Sequence, residues 1–295
     1  IFFLFLSPTF RSLSIWPSSR IIGLIFFVMS IYEFLKYQKF GREKYVFQNI
    51  FYLILSSYIS PNFSVFIIYF FFHYIKKENL ILIIKYLIFC GVLSLPAFYY
   101  LFILDINFFT AATPGSSDEE KIGLSFNFAN KILIISSIIL FHLLPFLFDK
   151  SIFNEFKKIK NYNFLVFFII FLISLFYFNY VPNYTGGGVF FQISYYLFNN
   201  NYFFYFVSLI SIFILCFFSS KNLNNFLIFL ILIVSNLQNT IYHKYYDPLI
   251  LIIFFTIISS YLSKNFLFKK NNVYYLYFFY IGFIFMRLVK NYIYI

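Results

Sequence analysis

Charge is what this sequence has least of. Charged residues make up 11% of its 295 positions, less than half of the roughly 25% usual in soluble domains. That excludes a chain whose whole surface faces water. Acidic residues are scarcer still, 10 against 22 Lys and Arg, so the formal net charge is +12. The only two cysteines, Cys90 and Cys216, both sit within apolar runs; that speaks against a disulfide framework and a thiolate metal site. Tryptophan occurs once, at Trp16, and glycine and proline are sparse, with 9 and 8 occurrences. Each Gly or Pro therefore marks a place where the chain has to turn.

What is there is apolar: 62% of residues are hydrophobic and the mean hydropathy is +0.84. Apolar segments near 1–6, 21–37, 45–60, 62–75, 80–104, 131–148, 163–180, 202–219, 226–240, 248–263 and 273–289 are long enough, or nearly so, to cross about 30 Å of hydrocarbon. The expected fold is all-α, a polytopic transmembrane bundle with about ten membrane segments plus the end of a truncated one. Residues 1–295 are expected to form a single integral membrane domain. The chain opens Ile-Phe-Phe inside an apolar run, so an N-terminal helix and the first outer loop are expected upstream. The 52 Phe and 28 Tyr share AT-rich codons with Ile, Asn and Lys, and no aromatic motif is read from them. The four arginines, at 11, 20, 42 and 287, run against that palette and carry more information.

The positive balance could indicate nucleic acid, but the basic residues punctuate the apolar segments. Topogenic charge and contact with anionic lipid fit better, and no nucleic-acid partner is expected. Fourteen of the 22 basic residues fall in alternate connections, including 38–44, 76–79, 149–162 and 264–272, which are expected to be cytoplasmic. Only the last segment, ending Arg287 and Lys290, strains the alternation. The outward connections are then 7–19, 105–130, 181–201 and 241–247, and they hold or adjoin most of the prolines. Function is expected on that side.

Three stretches stand out. SPTFRSLSIWPSSR (7–20) carries Arg11, Trp16 and Arg20. Guanidinium suits bidentate phosphate contact where lysine does not, while Trp16 and the arginines also fit interfacial anchoring. IYHKYYDP (241–248) carries His243, Lys244, Tyr246 and Asp247. His243 and Asp247 would share a face of a helix, and Pro248 suits the first turn of the next one. Contact with an anionic head group stands here against plain capping by Asp247. One His and one Asp fall short of a metal ligand set, so no cofactor is expected and a divalent metal has no support. NYTGGGVFFQISYYLFNN (183–200) offers three glycines for an anion nest or a flexible loop, followed by a short helix in the interface. Asp118, Glu119 and Glu120 read as solvated surface, and His142 as a satisfied core group.

The stretch LSPTFRSLSIWPSSRIIGLIFFVMSIYEFLKY resembles the middle of polytopic GT-C glycosyltransferases, and SSYISPNFSVFIIYFFFHYIKK and CGVLSLPAFYYL are similar to the helices that follow there. The likeness covers much of 1–104 and, more weakly, 236–263. It implies transfer of a sugar from a polyprenyl-phosphate donor to an acceptor on the outer face, in a bacterial inner or plasma membrane. The acidic catalytic residue of such enzymes would lie upstream of Ile1. By position, Arg11, Trp16, Arg20, His243, Lys244, Tyr246 and Asp247 would contact the lipid-linked donor and the acceptor. An envelope polysaccharide (O-antigen-like) polymerase or ligase is the nearest alternative, and a non-enzymatic lipid or polysaccharide transporter the other. The polar groups look placed at the outer rim, whereas a transporter calls for polar groups near the midplane.

Overall fold

The computed structural model describes residues 7, 19–104, 126–147, 161–181, 186–236, 238, 240–259 and 270–293. The regular elements among them are helices: α1 (Ser19–Phe40), α2 (Glu43–Ile59), a 3-10 turn (Pro61–Phe66), α3 (Ile67–Lys77), α4 (Leu80–Phe102), α5 (Phe128–Leu147), α6 (Asn161–Phe176), α7 (Gly188–Phe198), α8 (Tyr202–Lys221), α9 (Leu223–Val234), a 3-10 turn (His243–Tyr245), α10 (Leu249–Thr256) and α11 (Lys270–Ile293). Four stretches have the length and apolar composition to cross a membrane: Arg20–Phe40, Leu80–Phe102, Phe128–Leu147 and Tyr202–Ser220. The apolar parts of α6, α7, α9 and α11 are shorter.

Two expected segments stop early. The 226–240 run leaves the helix at Val234, because the Asn236 side chain accepts from the Gln238 N–H at 3.1 Å, a local bond that competes with the next helical turn. Within the described part of the 248–263 run, to Ser259, helix α10 ends at Thr256. Beyond it, the Ser259 N–H is taken by Asn225 Oδ1 at 3.0 Å, and Asn225 Nδ2 donates back to the Ser259 carbonyl at 3.0 Å.

The chain forms two compact units. One comprises Pro17–Phe126 and Leu230–Thr240. In it Asn49 of α2 donates to the Ser30 carbonyl and hydroxyl of α1, both at 2.8 Å, and accepts from the Tyr74 hydroxyl of α3 at 2.8 Å. The buried amide is thus bonded at both ends, and it fixes three helices by polar geometry that apolar packing alone does not supply. Phe27 wedges between Phe63 and Phe66, with ring centroids at 4.6 and 4.7 Å. Helix α4 buries only Ile83 and Tyr86.

The other unit comprises Ile1–Trp16, Asn127–Phe229 and Ile241–Ile295. Helix α5 is its hub. It packs against α6, α7, α8, α10 and α11, and its residues from Leu133 to Leu143 are all buried. At its start, Asn130 Nδ2 donates to Asn179 Oδ1 (2.9 Å) and the Asn179 N–H donates to Asn130 Oδ1 (3.0 Å). This pair ties the end of α6 to the first turn of α5.

Candidate functional site

The site is made where the chain turns back into the unit. Asn179 lies level with Asn130, yet Gly188 lies against Ile138, where an added Cβ would sit 2.7 Å from Ile138 Cγ1. Between those points the chain travels roughly 12 Å along α5 at 1.5 Å per helical residue. Helix α7 then runs back, and a turn with Asn199 at φ 52 leads into α8. The Ser194 hydroxyl donates to the Asn200 carbonyl (2.6 Å) and accepts the Phe204 N–H (3.1 Å), closing that turn. The Ser208 hydroxyl of α8 reaches the Leu133 carbonyl at 3.4 Å, so α8 starts beside the first part of α5. The described residues of 179–201 therefore form a re-entrant segment. Phe191 and Ser194 of α7 have no exposed surface, whereas Leu197 and Phe198 at its end are exposed.

Glycine is required at the bottom of that dip. Gly187 and Gly188 adopt φ of 87° and 78°, values that L side chains rarely take. A Cβ at Gly187 would also collide with the Phe191 ring. Here the segment meets the 241–248 stretch: Gly186 pairs antiparallel with Tyr242, the Gly187 N–H donates to the Ile241 carbonyl at 2.9 Å, and the Ile241 N–H reaches the Tyr180 hydroxyl at 3.4 Å. Burial raises the Tyr180 phenol above its ordinary pKa, so it is held as a neutral hydroxyl. Non-helical backbone of this kind persists inside helical membrane proteins where it is packed against protein or lines a cavity.

This meeting sets His243 against α5 and α11. Its ring lies 4.8 Å from that of His142, tilted by 33°, with Phe141 at 5.2 Å and Phe283 at 5.7 Å. Both His243 ring nitrogens are shielded from solvent. His142, fully buried, shares a 2.8 Å hydrogen bond between its Nδ1 and the Tyr280 hydroxyl. Its Nε2 has no hydrogen-bond partner among the described residues. Asp247 is 1% exposed. The N–H groups of Tyr246 and Asp247 both donate to the His243 carbonyl, at 3.0 and 3.2 Å. The turn is so tight that His243 and Asp247 stand on one side of it. Pro248 then caps α10.

The cluster therefore combines two imidazoles, a carboxylate and a phenol within aromatic walls. His142 lies fourteen residues into α5, roughly 21 Å along it and five residues from its end, and Tyr280 ten residues into α11, roughly 15 Å. Among the described residues no group of three or more His, Cys, Asp or Glu side chains is arranged to hold a metal.

Of the residues expected from sequence, His243, Asp247 and Tyr246 are brought into this unit's interior, Tyr246 being 2% exposed. Lys244 is exposed, with its ammonium 4.7 Å from the Tyr242 ring centroid. Arg20 opens α1 in the other unit and is half-buried. Arg11 and Trp16 lie outside the described residues, as do Asp118, Glu119 and Glu120. Sequence reasoning set His142 aside and missed Tyr280. The Gly186–Gly188 run was the one visible sign of the re-entrant turn.

Fold and site thus define a helical protein with membrane-length apolar helices and a buried His–Asp–Tyr cluster. The chain matches no protein-family model, no curated protein and no solved structure.

Proposed function

We propose that this protein is a polytopic membrane glycosyltransferase of GT-C type, moving a sugar from a polyprenyl-phosphate donor to an acceptor on the outer face of a bacterial inner or plasma membrane. The observation that supports it is Asp247 beside His243, a carboxylate and an imidazole held in one turn within apolar walls. In such a transfer the acceptor oxygen bonds to the anomeric carbon while the bond from that carbon to the phosphate oxygen breaks. The electron pair leaves on the phosphate, and the acceptor hydroxyl gives up its proton. A carboxylate or imidazole shielded from water is suited to take that proton. Lys244 would stabilise charge on the departing phosphate, and Tyr246 would wall the donor. No metal or other cofactor belongs to this reading.

Membranes containing the full chain, supplied with radiolabelled polyprenyl-phosphate sugars, provide the test. Asp247→Asn should lower transfer by about 10²–10⁴-fold at equal protein level. Transfer undiminished by Asp247→Asn rejects the assigned role, and absence of transfer from every donor by the unaltered chain rejects the reaction.

One second reading is favoured by the irregular backbone at Gly186–Gly188 beside short helices, an arrangement found in secondary transporters. Proteoliposomes separate the two: a transporter moves the lipid-linked sugar across the bilayer with its glycosyl bond intact.

A further inference from the structure

One end of the unit formed by α1–α4 carries a concentration of cations that the transfer reading does not use. The turn from α1 to α2 holds Lys36, Lys39, Arg42 and Lys44, and the turn from α3 to α4 holds Lys76 and Lys77. The two turns are joined. Tyr37 donates its hydroxyl to Glu78 Oε1 at 2.5 Å, and the Lys77 ammonium stands 5.7 Å from the Tyr37 ring centroid. Two of the three carboxylates nearby are engaged inside the unit, Glu78 by that hydroxyl and Glu33 by Lys36 at 2.9 Å; the third, Glu43, is exposed in the first turn of α2.

The remaining cations, Lys39, Arg42, Lys44, Lys76 and Lys77, are exposed. Aromatic rings support several of them: Lys39 lies 5.2 Å from the Phe40 centroid, Lys44 5.1 Å from Tyr45 and Lys76 3.8 Å from Phe72. A ring beside the ammonium steadies a flexible stem and still leaves N–H donors for an anion. Apolar surface begins immediately next to these cations. Leu80 is 74% exposed and Ile81 68%, and α4, which buries only Ile83 and Tyr86, continues with outward side chains that are mostly apolar, the exposed Lys85 excepted.

We propose that this end of the unit binds anionic phospholipid, with headgroup phosphates on Lys39, Arg42, Lys44, Lys76 and Lys77 and acyl chains along α4. An acidic soluble protein or a nucleic acid would match the charge but not the apolar band that abuts it. A phospholipid carries an anionic phosphate and hydrocarbon joined at the same spacing, and so meets both surfaces at once. Cations near such headgroups favour anionic lipid, most strongly at low salt. The inference does not depend on the transfer reading.

The test places the full chain in phosphatidylcholine bilayers with trace spin-labelled phosphatidylglycerol or phosphatidylcholine. Electron paramagnetic resonance then measures which lipid is motionally restricted at the protein. The unaltered chain should prefer phosphatidylglycerol severalfold at roughly 0.02 M salt, and the preference should fall towards none at about 1 M, where screening reaches within 3 Å. K39Q/K76Q/K77Q should bring the preference close to that of phosphatidylcholine. K157Q/K158Q/K160Q, which removes equal charge from another connection, should leave it intact. Equal restriction of both lipids by the unaltered chain overturns the proposal. Equal loss in the two triple variants also overturns it, because diffuse charge would then suffice.

Discussion

The Tyr280 hydroxyl lets an imidazole sit entirely inside the packing of α5, since it bonds His142 Nδ1 at 2.8 Å. Removing it strands a buried nitrogen with no water to take its place. Tyr280→Phe should therefore lower stability by about 1–3 kcal/mol, read as reduced thermal midpoint in detergent. The double variant H142F/Y280F, which removes both polar groups, should recover much of that loss. If Tyr280→Phe melts with the unaltered protein, the bond holds nothing. Half of this cluster was legible in the sequence. His243 and Asp247 announce themselves as polar residues four apart at the head of an apolar run. Tyr280 is one of 28 tyrosines, and its partner is 138 positions away, so no local pattern points to it. His142 sits alone among apolar neighbours, where only its tertiary partners tell a filler from a functional group.

Among the elements, the re-entrant segment depends on two glycines. Gly187→Ala or Gly188→Ala forces a side chain into positive φ and into Phe191 or Ile138, and each should cost more than about 1 kcal/mol. Gly91 makes a built-in comparison. It lies within α4 and a Cβ there meets nothing within 4 Å, so Gly91→Ala should stabilise by about 0.5–1 kcal/mol through helix propensity alone. Calorimetry of the three variants tests the ranking, and equal melting for all three would remove the strain argument. The glycine run was visible beforehand, yet it also fits a flexible loop. What decides between the readings is the backbone pairing of Gly186 with Tyr242, a contact 56 positions long. The early ends of α9 and α10 were hidden for a related reason: apolar composition continues past Val234 and Thr256, while Asn225 and Asn236 redirect the backbone by hydrogen bonds that hydropathy does not register.

At the scale of the molecule, the all-helical, apolar character was the most legible property; about ten membrane segments were expected, and among the described residues four helices are long and apolar enough to cross a membrane. Burial was not legible. Polar residues in a connection suggest an exposed rim, and only the packing of Gly188 on Ile138 and of His243 on His142 shows that this connection lies against α5. Orientation rests on the basic residues alone and is open to direct test. In a background lacking Cys90 and Cys216, Ser117→Cys should react with a membrane-impermeant maleimide in intact cells. Reaction only after permeabilisation reverses the assignment. The loop around Ser117 lies outside the described residues, so the experiment reads sidedness rather than local geometry. The mutual bonds of Asn225 and Ser259 bear on how the protein is made. Helix α10 has 8 residues, roughly 12 Å of rise, and the insertion machinery selects spans of about 20 apolar residues one at a time. The two asparagine–serine bonds join residues 34 positions apart in the chain, so α9 and α10 gain this closure only once Ser259 has been synthesised.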